Sequence, residues 1–317
     1  MYTRLLQKTI AENLNKSKVI ILLGARQVGK TTLVKEILKN FPESRYINCE
    51  LLQNKEMLET TNSAKLKFFL GNYRLIILDE AQSIIQIGLI LKIIHDTFPQ
   101  IQVIATGSSS FNLKNETSEP LTGRSRQYTL FPLAISELKS TMDNLDIHAR
   151  LENILRYGLY PSVFGQPEQE TLEELNNITT NYLFKDILMF EKIKHADLLL
   201  NLLKAIALQI GNEVSYNELS RMLGMAVHTI KRYIDLLEKS FVIFSLSSFG
   251  NNPRKEIAKG RKIFFYDLGI RNMIIQNFNP VTLRNDVGAL WENFCIAERI
   301  KALLRNNLTI QACSFAR

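Results

Sequence analysis

Cysteine is scarce in this chain of 317 residues: Cys49, Cys295 and Cys313 stand far apart with no C-x-x-C pair, and the four histidines are equally scattered. That distribution offers neither a disulfide framework nor a zinc site. Long apolar runs are missing as well. VIILL at residues 19–23 is short, and SIIQIGLILKIIH is interrupted by Gln86 and Lys92, so nothing approaches the roughly 20 residues of a membrane-spanning helix. No signal peptide, internal repeat or low-complexity tract is visible. With 46% hydrophobic and 22% charged residues, both ordinary values, the expectation is a folded protein of a reducing cytoplasm without a membrane partner.

Charge is present but unevenly placed. The formal net charge is +8, with a basic excess of 6 in residues 1–140, an acidic excess of 4 in 141–210 and a basic excess of 6 in 211–317. The two basic ends suit polyanions, a nucleotide at one and DNA at the other.

Residues 1–135 alternate short apolar runs with helical patterns: KVIILLG, RYINCE, LIILDE, QVIATGSS and RQYTLFPL are the strand-like segments. Runs such as VIILL that lack period-2 alternation fit strands covered on both faces, so this part reads as an α/β domain with a five-stranded, largely parallel sheet. Residues 136–210 read as a helical lid or linker in which ELKSTMDNLDIHARLENILRYG is amphipathic helix. Residues 211–317 begin with a capping box, Ser215 and Glu218, ahead of the short helix SYNELSRMLG. The following helix VHTIKRYIDLLEK places Ile230, Ile234 and Leu237 on one face, away from His228, Lys231, Arg232 and Asp235. FVIFSLSS and KIFFYD then form a hairpin with a basic tip, which makes a winged helix the expectation.

The chemistry concentrates at GARQVGKTT. Gly24, Gly29, Lys30 and Thr31 satisfy G-x-x-x-x-G-K-[ST] between a strand and a helix, the context that the phosphate-binding loop requires. Glycine lets backbone N–H groups approach a polyphosphate, so the segment Gly24, Ala25, Arg26, Gln27, Val28, Gly29, Lys30, Thr31 and Thr32 is the candidate nucleotide cradle. Lys30 is expected to reach the β- and γ-phosphates and Thr31 to bind Mg²⁺. LIILDE offers Asp79 to order the metal's shell and Glu80 to polarise an attacking water. At the end of ATGSSS either Thr106 or Ser108 is placed to sense phosphate, and Arg124 and Arg126 are placed just before the last strand.

GARQVGKTTL, LIILDEAQ, ATGSSS, LTGRSRQYTLFPL, YDLGIRNMI and LWENF, in that order over nearly the whole chain, resemble prokaryotic AAA-superfamily ATPases with a C-terminal domain of unknown function. The resemblance implies a sheet ordered 5-1-4-3-2, ATP rather than GTP, Ser108 as sensor and Arg124 as an arginine finger acting in a homo-oligomer. Such proteins often continue into a nuclease-like domain after the LWENF region, whereas this sequence stops at QACSFAR, so no nuclease activity is expected. The leading reading is a Mg²⁺-dependent ATPase working as a switch or motor, with DNA as its candidate partner. The alternatives are a nucleic-acid-binding regulator that binds ATP with little hydrolysis, and a small-molecule kinase using Arg124 and Arg126 as lid arginines.

Overall fold

The computed structural model describes residues 2–14, 16, 18–107, 120–180, 196–247 and 261–305, and the chain divides into two compact units, with the boundary along the sequence between Leu130 and Phe131. The stretches read separately as 136–210 and 211–317 fall in the second of these units.

The first unit opens with helix α1 (Leu5–Ala11) and then alternates strand and helix: β1 (Val19–Leu23), α2 (Lys30–Leu38), β2 (Ser44–Asn48), α3 (Leu52–Leu58), α4 (Ser63–Leu70), β3 (Leu75–Asp79), α5 (Ile87–Thr97), β4 (Gln102–Gly107) and β5 (Ser125–Thr129). All strand neighbours are parallel, in the order β2-β3-β4-β1-β5; counted from the other edge this is 5-1-4-3-2. The three central strands are buried at every position, which explains their unbroken apolar runs. The helices contribute one apolar stripe each: Leu33, Val34 and Ile37 of α2, and Ile87, Ile90, Leu91 and Ile94 of α5, are buried. Side chains of this kind stabilise the fold by roughly 1.5–3 kcal/mol each when fully buried. In a parallel sheet all strand C-termini share one edge, and there the ends of β1, β3 and β4 lie side by side.

In the second unit the stretch read as one long helix after Ser136 is broken. Asp143 accepts a hydrogen bond from Asp146 N at 2.8 Å and starts a new helix, and Gly158, at φ 77°, ends α6 (Leu151–Tyr157). Next come α7 (Glu168–Asn177), α8 (Ala196–Leu208), β6 (Glu213–Val214), α9 (Tyr216–Leu223), α10 (Val227–Lys239), β7 (Ile243–Ser247), β8 (Arg261–Phe265), α11 (Leu268–Ile275) and α12 (Val287–Arg305). Strands β6, β8 and β7 form an antiparallel sheet with β8 in the middle. Ser215 caps α9 by accepting from Glu218 N at 3.4 Å. Ile230, Ile234 and Leu237 of α10 are buried, while His228, Lys231, Arg232 and Asp235 are exposed. Phe131, Phe244, Phe264, Tyr266 and Ile300 form an aromatic-rich core, with the Phe131 and Tyr266 rings stacked at 4.8 Å.

Candidate nucleotide site

The loop from Gly24 to Gly29 leaves the C-terminal end of β1 and feeds directly into α2. Glycine is required at its first position for lack of space, because a Cβ on Gly24 would stand 2.2 Å from the Leu130 carbonyl oxygen. At its last position glycine is required for conformation, since Gly29 is the N-cap of α2 at φ 95°. Gln27 between them also has positive φ, 61°, an uncommon conformation for a residue with a side chain. Lys30 is 4% exposed, and its ammonium donates to the Gly24 and Ala25 carbonyls at 3.0 and 2.8 Å, which holds it across the loop. The loop and the N-terminus of α2 thus bring a buried ammonium together with the positive end of a helix.

Asp79, 3% exposed at the end of β3, faces this loop. Its Oδ2 accepts from Thr31 Oγ1 at 2.8 Å and from the Tyr46 hydroxyl at 2.5 Å, and its Oδ1 accepts from Thr106 Oγ1 at 2.5 Å. Three hydroxyls from α2, β2 and β4 therefore orient one carboxylate. Thr106, fully buried, also accepts from Glu80 N at 3.0 Å. Glu80 follows in a left-handed conformation, φ 54° and ψ 45°, and its carboxylate accepts from Gln82 Nε2 at 2.5 Å. Backbone strain at Gln27 and Glu80 falls on the two segments that the sequence marks for chemistry. The surroundings are charge-sensitive. Burial, then the Asp79 hydrogen bond and the Asp79 and Glu80 charges, push the Tyr46 phenol up, and burial with the same two carboxylates pushes the Cys49 thiol up to about 12.

The structure thus brings together Gly24, Lys30, Thr31, Asp79, Glu80 and Thr106. Arg124 is elsewhere. Its backbone carbonyl accepts from Val19 N, so it sits at the start of β5 beside the start of β1, the edge of the sheet opposite the loop. Five strand residues at about 3.3 Å each separate the two edges by roughly 16 Å. Arg124 Nε instead donates to Asp96 at 2.9 Å, and this hydrogen bond, helped by His95, holds the Asp96 carboxyl below its usual range. Arg126 pairs with Ile20 inside β5. Ser108 lies outside the described residues.

A cleft of about 650 Å³ also lies on that far edge, lined among others by Lys18, Lys67, Arg74 and His95. Lys67 occupies the last turn of α4, where a cation complements the negative helix end, and donates to the Gly71 carbonyl; His95 occupies the last turn of α5. Ligands of open parallel sheets bind beyond the strand C-termini, and the loop with Lys30 lies there.

Sequence reasoning missed Tyr46 and Arg4. The first reads as an ordinary strand aromatic, and only the pairing of β2 with β3 places its hydroxyl on Asp79. The second precedes the motif by twenty residues and donates from Nη1 to the Val28 carbonyl at 2.7 Å.

A parallel sheet with β1 between β4 and β5, a glycine-bounded loop closed on a buried lysine, and a threonine bonded to a strand-end aspartate define a P-loop nucleotide-binding fold. Residues 16–139 match the family described as an AAA domain, and residues 148–281 match a domain of unknown function (DUF8612). The chain thus carries an AAA domain followed by a domain of unknown function. An uncharacterised protein of Mycobacterium tuberculosis is 28% identical over 93% of this chain and 64% of its own length. Another, from Methanocaldococcus jannaschii, is 24% identical over 88% of this chain and 67% of its own. The chain thus spans about two thirds of the length of these relatives. A Walker-type ATPase of Pyrococcus abyssi shares the fold, with a TM-score of 0.55 and 16% identity over 87% of this chain and 96% of that one. Among the described residues no helix is long and apolar enough to cross a membrane.

Proposed function

We propose that the chain binds and hydrolyses ATP in a Mg²⁺-dependent reaction and works as a nucleotide-driven switch or motor. The observation that carries this reading is the convergence of Lys30, Thr31 and Asp79 at one end of the sheet, with Thr31 Oγ1 and Asp79 Oδ2 2.8 Å apart. Lys30 exchanges the neutral carbonyls of Gly24 and Ala25 for charged phosphate oxygens, which are stronger acceptors. A hydroxyl next to a carboxylate is the hard oxygen set that Mg²⁺ prefers, and the ion when bound neutralises phosphate charge. Glu80, oriented by Gln82, orients the attacking water as acceptor of its proton. Arg124 enters this reading only across a subunit boundary, after leaving Asp96.

Lys30→Ala is expected to lose ATP affinity, because the binding charge is gone. Glu80→Gln is expected to keep affinity and lose most turnover, because the phosphate contacts remain while the water loses its acceptor. Equilibrium nucleotide binding and single-turnover hydrolysis check the pair, and parental hydrolysis by Glu80→Gln overturns the assignment.

A second activity, DNA binding, is supported by a separate observation. The pair α9 and α10 followed by antiparallel β7 and β8 has winged-helix order, and Arg221, His228, Lys231 and Arg232 are exposed on the pair. Arg254, Lys255 and Lys259 of the wing tip lie outside the described residues.

A further inference from the structure

Arg4 precedes the part of the chain that matches the AAA domain, residues 16–139, yet it is 8% exposed and bonded to the phosphate loop. It is the N-cap residue of α1, and its Nη1 donates to the Val28 carbonyl oxygen at 2.7 Å. The same nitrogen stands 3.7 Å from the place a Cβ would take on Gly29, so the guanidinium lies along the Val28–Gly29 peptide. One further peptide, Gly29–Lys30, separates it from Lys30.

A peptide unit has two ends. The carbonyl of Val28 and the N–H of Gly29 belong to one conjugated plane and point in opposite directions when the bond is trans. A cation bonded to the oxygen draws electron density toward it and leaves the N–H on the other side a stronger donor. In a phosphate loop the N–H groups face the ligand. A fixed guanidinium on the outer side of the loop therefore pins the peptide's orientation and adds positive potential where phosphate binds.

We infer that Arg4 is a positioning residue for nucleotide phosphate: through the Val28–Gly29 peptide it orients and polarises a donor of the loop, and makes the N-terminal helix part of the nucleotide site. The inference rests on the nucleotide reading of the loop given above. It assigns no contact between Arg4 and the nucleotide itself, so its effect belongs in affinity for the phosphates rather than in the chemical step.

The test measures ADP binding by calorimetry in the presence of Mg²⁺, with the melting temperature of each protein taken without and with ADP. Arg4→Met removes charge and donor, Arg4→Gln removes the charge and holds its amide donor two bonds short of the Nη1 position, and Arg4→Lys keeps charge on a narrower head. Loss of one charge-assisted hydrogen bond predicts about tenfold weaker ADP binding in the Met and Gln variants. The Lys variant is expected to stay within about threefold of the parent, and kcat at saturating ATP to change less than twofold in all three. The ADP-induced rise in melting temperature shrinks in step with affinity, which a purely structural role of Arg4 does not require. Parental affinity in Arg4→Gln, or equal losses in Gln and Lys, overturns the inference. Should Arg4→Met fail to fold, the Gln and Lys comparison decides alone. Lys30→Ala is the control for the underlying reading: if it too binds ADP like the parent, the nucleotide site itself is misassigned, whereas loss in Lys30→Ala alone defeats only the role of Arg4.

Discussion

Thr106 has two hydrogen bonds that tie two acidic residues together. Its hydroxyl donates to Asp79 Oδ1 and accepts from Glu80 N, and it has no exposed surface. The sequence offers Thr106 or Ser108 as a phosphate sensor because both lie at the end of a strand placed between β1 and β3. The geometry points Thr106 at the Asp79 carboxylate and the Glu80 backbone instead. Thr106→Val keeps the shape and removes the hydroxyl, leaving a buried carboxylate oxygen and a backbone N–H each short of a partner. Such a loss costs roughly 1–3 kcal/mol of stability. On the reading proposed above, the same change turns Asp79 and Glu80 out of register with the loop, so kcat is expected to fall by at least tenfold while ADP affinity changes by less than threefold. Denaturant unfolding and steady-state kinetics check both halves, and a variant with parental kcat excludes the linking role.

At the scale of elements, the second unit is held by polar groups buried among helices. Asp267 caps α11 by accepting from Ile270 N at 3.2 Å and also accepts from Leu159 N at 2.7 Å. Gly269 is needed at that crossing, since a Cβ there would meet the Tyr157 carbonyl oxygen at 2.0 Å. Asn272 donates to the Leu155 and Arg156 carbonyls at the end of α6, and Asn293 of α12 bonds both N and O of Phe265 in β8. These residues are the D, G and N of YDLGIRNMI and the N of LWENF. The motifs themselves are legible in the sequence; their purpose is not, because Asp, Asn and Arg are mostly surface residues and only the packed structure shows them buried. The three central strands of the sheet are legible for the converse reason, as apolar runs covered on both faces. Helix α1 and the two-residue β6 lie outside that reading, each too short for a periodic pattern to stand out.

Arg271 and Arg284 converge on Asp286 within this network, at 2.6 and 2.8 Å. Burial pushes the Asp286 carboxyl up, but the hydrogen bonds and charges of Arg284 and Arg271 outweigh it and bring the carboxyl down to about 2. A carboxyl depressed on folding stabilises the protein above its unfolded value of about 3.9, and that contribution is lost as pH falls toward 2. Asp286→Asn leaves two buried guanidinium groups without their carboxylate, and a loss of about 3 kcal/mol is expected at pH 7. The difference between parent and variant narrows between about pH 4 and pH 2, where the parent's carboxylate takes up its proton. Urea unfolding at several pH values measures it, and a difference independent of pH over that range excludes the charge pairing as its source.

Over the whole molecule, the basic excess of 6 in residues 211–317 is the feature that no nucleotide explains. Part of it is already engaged: Lys262 pairs with Glu292 at 2.7 Å, Lys239 with Asp235 at 2.8 Å, and Arg261 hydrogen-bonds Tyr216. Arg221, Lys231 and Arg232 are exposed on α9 and α10, Arg232 lying over the Tyr233 ring, and on the proposed DNA-binding reading they face a phosphate backbone. Binding through about 3 to 4 phosphates has a salt slope near −0.9 for each, so a fourfold rise in salt weakens it by roughly 40- to 150-fold, with little dependence on base sequence. Reversing Lys231 and Arg232 to glutamate removes two contacts and adds two repulsions, and is expected to abolish duplex binding at low salt while leaving ATP turnover without DNA unchanged. A Lys255→Glu and Lys259→Glu pair in the wing tip tests that segment separately. Fluorescence anisotropy with a labelled duplex, titrated across salt, reads all of these. Absence of binding by the parent at low salt, or a salt slope that is the same in the parent and the α10 reversal, assigns this basic face to protein docking instead of DNA.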